Sequence, residues 1–184
     1  MTKENIKKII DDHELWLKSS GKQGTRADFT GMNLIGCVFE RHDLRYAIFK
    51  NAKMSRACFY YCKLKETDFT GADLRASTIC FCSVHKADFS NANLFKLKCV
   101  CSNFFGSNFH DADMSNAKLY HVDLVEANLE CFLHGTEITY GNILHAKFSD
   151  RETLCKLEDS KICFSGKNEY SKYFERGKGR QIKR

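Results

Sequence analysis

Residues 87–94 read ADFSNANL, and closely similar stretches lie upstream of them. Residues 67–74 read TDFTGADL and residues 27–34 read ADFTGMNL, so the copies are twenty and forty residues apart. Each copy contains one five-residue unit and the first three residues of the next, and each unit places Asp or Asn just before a large apolar residue. The chain is therefore built from a short internal repeat, and that repeat decides its fold.

The five-residue period runs without interruption from Phe29 to Leu129. None of the 21 positions at this interval is charged, and nearly all are large and apolar. The residue two positions earlier is usually small, and the residue between the two is most often Asp or Asn. Four of the small positions depart from this pattern: Met32, His42, Leu97 and Val122.

A period of five fits neither a helix nor a straight strand. Five helical residues rotate the side chain by about 140° from its starting direction, which leaves no single buried face. Five strand residues place successive apolar side chains on opposite faces. The pattern is satisfied if the chain bends once per unit, with the small and large residues inward and the last two residues forming a corner. Gly31, Asn51, Gly71 and Asn91 lie at such corners and tolerate a positive φ.

A second spacing of twenty residues indicates four units per coil. Because like residues then lie above one another, the chain is predicted to wind as a square tube of about five coils, about 25 Å long. The predicted core columns are Phe29, Phe49, Phe69, Phe89 and Phe109, and Leu34, Met54, Leu74, Leu94 and Met114. The predicted inward small residues include Ala27, Ala47, Cys62, Ala72, Cys82, Ala87 and Ala92.

Residues 27–129 resemble the pentapeptide-repeat family, through units such as ADFTG, ADFSN, ANLFK, TDFTG and ADLRA. The resemblance implies an all-β solenoid, a right-handed quadrilateral β-helix, with no inherent enzymatic activity, and we expect no catalytic, cofactor or metal site. Family members with known roles mostly act through their surfaces. Several bind DNA gyrase and affect quinolone sensitivity.

Both ends of the repeat are predicted to be covered by helices. Residues 1–22 form an N-terminal cap, in which residues 3–18 carry an apolar face at helical spacing: Ile6, Ile9, Ile10, His13, Trp16 and Leu17. A membrane-surface helix is the alternative, although acidic residues on its polar face disfavour it. Residues 166–184 are predicted to form a short C-terminal helix with a basic tail.

The regular β-helix is predicted to span residues 23–130, and residues 131–165 to continue it irregularly. The period resumes at Ile138, Ile143 and Phe148, nine rather than ten residues after Leu129. A second slip precedes Leu157. We therefore expect loops near residues 131–136 and 149–156.

Composition constrains the location of the chain. No apolar run is long enough for a transmembrane helix, and the first residues lack the apolar segment of a signal peptide. The ten cysteines are therefore interpreted as reduced thiols in the cytoplasm, where Cys behaves as a small apolar residue. The formal net charge of +6 is concentrated at the ends, because residues 27–164 contain 16 basic and 17 acidic residues.

Few residues suggest a catalytic, redox or metal-binding role. Cys80 and Cys101 lie near corners on adjacent coils, so a metal or redox pair is a hypothesis, although packing of the thiols as small apolar residues is favoured. His42 occupies an inward small position, and we expect it to be buried and hydrogen-bonded. No sequence motif of a phosphate-binding loop or a hydrolase nucleophile is present.

Two functional hypotheses and a third alternative follow. The first is a non-catalytic scaffold that binds an unknown protein partner. The second is a gyrase-binding mimic of DNA, which the near-neutral body and outward lysines disfavour, since a mimic needs negative faces. The third is nucleic-acid contact through the basic tail. The chain is expected to be a monomer, or a homodimer joined at its C-terminal end, without membrane contact.

Overall fold

The computed structural model describes residues 3–149 and 163–164. Within them, helix α1 (Lys3–Lys18) precedes nine short strands. The strands are β1 (Val38–Glu40), β2 (Cys58–Tyr60), β3 (Thr78–Cys80), β4 (Lys98–Val100), β5 (Lys118–Tyr120), β6 (Asn128–Leu129), β7 (Glu137–Gly141), β8 (Lys147–Phe148) and β9 (Cys163–Phe164). Strands β1 to β5, β7 and β9 form one parallel sheet, here named the strand face, and β6 pairs with β8.

Parallel pairing at a spacing of twenty residues builds every side of the tube. On the strand face Phe39 pairs with Phe59. The other sides have single bridges at the same spacing, such as Asp28 with Ile48. The chain thus forms a parallel β-solenoid of about six turns with an N-terminal helix, which confirms the fold predicted from the repeat.

The interior of the tube holds both predicted columns and the predicted small residues. Each of these seventeen side chains is at most 3% exposed. The five Phe rings stack nearly parallel, and their successive centroids are 4.7, 5.1, 4.8 and 5.0 Å apart. This spacing equals the distance between hydrogen-bonded strands, so the backbone ladder itself sets the stacking distance.

Nearly every corner contains a residue in the left-handed conformation, and most corners away from the strand face are β-turns closed by a hydrogen bond. At the first corner the Met32 N–H donates to the Phe29 carbonyl at 3.0 Å, and Gly31 has a φ of 66°. Sequence reasoning connected this conformation with Gly and Asn, but bulky residues adopt it too, including Tyr61 at 55° and Phe81 at 56°. The ladder on both sides holds these residues in place against a cost of about 1–2 kcal/mol each.

The Asp and Asn residues of the repeat stabilise the corners. Asp68 Oδ1 accepts the N–H of Thr70 at 2.8 Å, and Asp88 Oδ1 accepts that of Ser90 at 2.9 Å. This is the local turn that Asx side chains favour. The strand face has no Asp or Asn at the equivalent positions of its first five strands, and there the chain extends into three-residue strands. The repeated carboxylates and amides therefore have a structural role.

Substitution of Asp68 separates this role from its charge. We expect Asp68→Ala to reduce the free energy of unfolding by about 1 kcal/mol, because the Thr70 N–H loses its acceptor. Asp68→Asn keeps a side-chain oxygen at the same place and should stay within about 0.5 kcal/mol of the native protein. Urea unfolding followed by circular dichroism measures both, and equal losses in the two variants would contradict the assignment.

The apolar face of α1 covers the first coil, as predicted. Ile10 is 4% exposed and His13 is completely buried. The Ala27 N–H donates to His13 Nδ1 at 3.1 Å, and the imidazole stacks on Trp16 at 5.6 Å. Burial lowers the pKa of His13, which favours the neutral imidazole that can accept this hydrogen bond. The helix is thus joined to the first coil by a polar contact as well as by apolar packing.

The prediction that His42 is buried and hydrogen-bonded is wrong. Its side chain is 34% exposed, and Nδ1 lies 3.8 Å from Glu14 Oε1 of the helix. His42 belongs to the first coil, where no preceding coil covers the inward position and α1 covers it only in part. His13 is the buried histidine at this end.

The expected loop at residues 131–136 is also wrong, because the coil continues through it. Phe132 bridges to Asp113 and Glu137 pairs with Lys118, so this coil is one residue shorter than the others. The missing residue comes from one corner, where the Cys131 N–H donates to the Leu129 carbonyl at 2.8 Å. Leu133 already occupies the inward column, and Ile138 and Ile143 follow it. The second slip, the predicted loop beyond residue 149 and the C-terminal helix lie outside the described residues.

Candidate functional site

One corner of the solenoid carries aromatic side chains on successive coils. The corner that the chain makes as it leaves the strand face is here named the aromatic corner. Its residues, all with positive φ, are Arg41, Tyr61, Phe81, Cys101, His121 and Tyr140. Because a left-handed corner residue directs its side chain away from the tube, this column faces solvent. Tyr61 is 51% exposed, Phe81 48% and Tyr140 44%.

The rings of the aromatic corner contact one another. Tyr61 and Phe81 stack with centroids 5.0 Å apart, and His121 and Tyr140 stack at 4.8 Å. Tyr120 of β5 packs edge-on against both rings of the second pair, at 4.4 Å from His121 and 5.4 Å from Tyr140. Each pair is therefore held in one orientation by its neighbours.

An open groove interrupts the column at Cys101. This groove, named here the Cys101 groove, has a volume of about 820 Å³ and lies between Phe81 on one side and His121 and Tyr140 on the other. Its floor is rigid, since the Cys82 N–H donates to Ser102 Oγ at 3.1 Å and Ser102 Oγ donates to the Val100 carbonyl at 3.1 Å. Asn103 and Asp123 form its rim on the adjoining side of the tube.

The hypothesis of a metal or redox pair at Cys80 and Cys101 receives no support. Cys80 lies buried in β3 and Cys101 is exposed at the corner. Burial raises the pKa of the Cys80 thiol, which disfavours the reactive thiolate. Among the residues that the structure describes, no group of three His, Cys, Asp or Glu side chains could hold a metal ion.

The remaining inward cysteines behave as core residues. A hydrogen bond with Cys62 and burial together raise the pKa of the Cys82 thiol, and burial raises that of Cys131 to about 12. The Cys62 Sγ donates to the Phe39 carbonyl at 3.4 Å. The Cys62 and Cys82 thiols therefore donate to carbonyl groups inside the tube, and Cys131 packs as a buried apolar residue.

A polar cavity beside α1 has its charges paired internally. Asp43 accepts two hydrogen bonds from Arg45, at 2.7 and 2.9 Å, and one from Lys63 at 3.3 Å. Although burial opposes ionisation, these cations hold the pKa of Asp43 below its ordinary value. The cavity also contacts Glu14 and His42, which lie 3.8 Å apart. Because its carboxylate already has partners, this cavity is a weaker candidate than the aromatic corner.

The sequence matches the family described as pentapeptide repeats in eight copies, over residues 25–59, 57–94 and 98–130. The chain belongs to the pentapeptide-repeat family. This conclusion agrees with the five-residue register and with the coils described above. No curated protein sequence matches the chain significantly.

Several solved structures are similar to this pentapeptide-repeat chain. A trypsin-treated form of QnrB1, a plasmid-mediated fluoroquinolone resistance protein, is 17% identical with a TM-score of 0.50, covering 73% of this chain and 83% of that one. HetL from Nostoc sp. strain PCC 7120 is 21% identical with a TM-score of 0.34, covering 67% and 58%. A thylakoid-lumen protein from Arabidopsis thaliana is 23% identical with a TM-score of 0.36, covering 83% and 87%. At 17% identity, the likeness to QnrB1 concerns the fold alone.

Sequence reasoning missed the aromatic corner. It assigned corner positions to turn formers and did not follow their identity from coil to coil. The signal was nevertheless present, since every twentieth residue from Arg41 is Tyr61, Phe81, Cys101 and His121. The last member, Tyr140, follows after nineteen residues because of the shortened coil.

Proposed function

We propose that the chain is a non-catalytic scaffold that binds a protein partner through the aromatic corner. The observation that carries this proposal is the column of stacked aromatic side chains that are about half exposed along one edge of the rod. Tyr and Phe are enriched at the centres of protein interfaces, where they bury large areas. Exposed apolar side chains that cluster on the surface mark interaction sites.

The rigidity of the corner supports binding. The Phe81 N–H donates to the Val100 carbonyl at 2.9 Å and the His121 N–H to the Thr139 carbonyl at 2.9 Å, so each corner residue is fixed to the next coil. The stacked rings restrict one another's side-chain rotation as well. Binding of a partner would therefore cost little side-chain conformational entropy on this surface.

Partner capture from the lysate of the native cell tests the proposal. The tagged chain is compared with a double variant, Phe81→Ala and Tyr140→Ala, that removes one ring from each stacked pair. We expect the captured partner to be reduced at least about tenfold, because each truncated interface aromatic contributes more than about 1 kcal/mol. Quantitative mass spectrometry measures the partner retained by each chain.

Phe132→Ala provides the matched control. Phe132 is 65% exposed and lies on another side of the tube, so its truncation should leave capture unchanged. Circular dichroism verifies that all three chains are folded. Equal capture by the native chain and the double variant would refute the aromatic corner as the binding surface.

A DNA-mimic role toward gyrase has less support than this scaffold role. Lys53, Lys63, Lys98 and Lys118 are exposed on the sides of the tube, where a mimic would need negative charge. The similarity to QnrB1 extends to the fold and brings no partner with it. The basic tail at residues 165–184, the basis of the nucleic-acid alternative, lies outside the described residues.

We place this scaffold in the cytoplasm. The eight cysteines whose side chains the structure describes form no disulfide with one another, which suits a reducing compartment. No helix among the described residues is long and apolar enough to cross a membrane.

The homodimer predicted through the C-terminal end remains a prediction.

A further inference from the structure

We propose that the Cys101 groove binds the guanidinium group of an arginine side chain carried by the protein partner. This inference rests on the proposed scaffold function and adds the chemistry that the partner must present. Its basis is the position of Cys101, where the aromatic corner has no ring, next to the Asp123 carboxylate. Among the described residues, Asp123 has no cationic partner.

The shape of the groove fits a planar group. Phe81 and His121 lie two coils apart, which is about 10 Å, and Cys101 is too short to fill the space between their rings. Ring pairs elsewhere at this corner stack at 4.8 and 5.0 Å. A planar side chain inserted over Cys101 would therefore have an aromatic ring at stacking distance on each of its faces.

The charge of the groove selects a cation. Asp123 is the only Asp, Glu, Lys or Arg among the described residues that line it. Asp123 Oδ2 accepts from Asn103 Nδ2 at 3.1 Å, and Oδ1 accepts the Val125 N–H at 3.2 Å. Each oxygen retains a lone pair, so the carboxylate can still accept the two N–H groups of a guanidinium.

The chain itself contains both halves of the proposed contact. The guanidinium of Arg41 lies over the Tyr61 ring in the same column, 5.6 Å from its centroid. Asp73 binds Arg75, two residues later, through hydrogen bonds of 2.7 and 2.6 Å. The residue two positions after Asp123 is Val125, which cannot supply a cation. An external arginine would complete at the groove the two contacts that other coils make internally.

Arginine fits better than the other candidate side chains. A lysine ammonium is a compact charge that cannot stack between two rings or form a fork with a carboxylate. An aromatic side chain would stack but leave Asp123 without a cation. The combination of rings and one carboxylate therefore selects a flat, positively charged group.

Peptide titration of the full ¹⁵N-labelled chain tests the inference by NMR. The probes are three capped five-residue peptides of glycine and serine with arginine, lysine or citrulline at the centre. We expect the arginine peptide to shift the amide signals of Cys101, His121 and Asp123 and to bind about fivefold more tightly than the lysine peptide. The citrulline peptide, which has the same shape without the charge, should bind at least about tenfold more weakly. Equal binding of the arginine and citrulline peptides would overturn the proposal.

Two variants and a control locate the site. Asp123→Asn keeps an oxygen for the Val125 N–H and should weaken the arginine peptide about five- to tenfold. Cys101→Phe should abolish binding by filling the groove, and it should fold because Phe81 already adopts the same corner conformation. Asp113→Asn, at an equivalent repeat position whose Oδ1 accepts the Ser115 N–H, lies outside the groove and should leave binding unchanged.

The peptide experiment and the capture experiment together distinguish the arginine assignment from the scaffold function. Failure of the arginine peptide to bind, together with loss of the partner in the Phe81→Ala and Tyr140→Ala variant, would overturn the arginine assignment and leave the scaffold function standing. Loss of partner capture in Asp123→Asn, with capture retained in Asp113→Asn, would support the assignment in the intact complex.

Discussion

Replacing Phe69 with alanine is expected to lower the free energy of unfolding by about 3–5 kcal/mol. Phe69 is completely buried and stacks between Phe49, at 5.1 Å, and Phe89, at 4.8 Å. It also packs edge-on against Phe59 at 5.8 Å. The neighbouring rings cannot move into the vacated space, because the hydrogen-bonded ladder fixes the distance between coils. The substitution therefore leaves a cavity in the middle of the column, and chemical denaturation monitored by circular dichroism measures the loss.

Phe132→Ala serves again as the matched control for this experiment. It removes the same atoms from a ring that is 65% exposed, so a change below about 1 kcal/mol is expected. A result in which Phe69→Ala is no more destabilising than Phe132→Ala would show that the stacked column does not hold the coils together.

The second large effect is expected from Ile10→Asp in the capping helix. Ile10 is 4% exposed and packs into the same core as the first coil. A carboxylate at this position loses the apolar burial and must give up much of its hydration, so we expect a loss of about 3 kcal/mol. Separation of α1 would also expose the edge of the first coil, and uncovered strand edges associate with other chains. Thermal unfolding together with light scattering during gel filtration detects both consequences.

Leu15→Asp on the same helix provides the comparison. Leu15 is 42% exposed, so an aspartate there remains solvated and the variant should stay monodisperse and close to native stability. The capping role of the Ile10 face would be disproved by a thermal transition and a size distribution that match those of Leu15→Asp.

The roles of individual repeat residues were only partly predictable. The inward positions could be derived because a strict period leaves one arrangement in which every apolar residue is buried. The Asp and Asn residues were recognised only as the polar position between the small and large residues, yet Asp68 and Asp88 accept hydrogen bonds from the corner they precede. Such a bond depends on the path of the corner backbone, which the residue pattern does not specify.

The end of the regular repeat shows a similar limit. The nine-residue step from Leu129 to Ile138 was visible in the sequence, but it was interpreted as a loop within an irregular continuation of the β-helix. In the structure, a single corner is shortened and the ladder continues, with Leu133 in the core. Shortening one corner by a residue costs less free energy than breaking the hydrogen bonds between two coils. This comparison depends on how the coils pair, which the residue pattern does not specify.

The sequence alone was sufficient for the solenoid, its core columns and its helical cap, because five-residue and helical periodicities are local patterns that each allow one buried face. The tertiary structure decided which residues meet across coils. Only stacking at the coil spacing brings Tyr61 onto Phe81 and His121 onto Tyr140, leaves the groove at Cys101 between the two pairs, and sets Asp123 beside it. These residues are twenty or more positions apart in the chain or separated by a shortened coil, so their contact follows from winding and not from any local pattern.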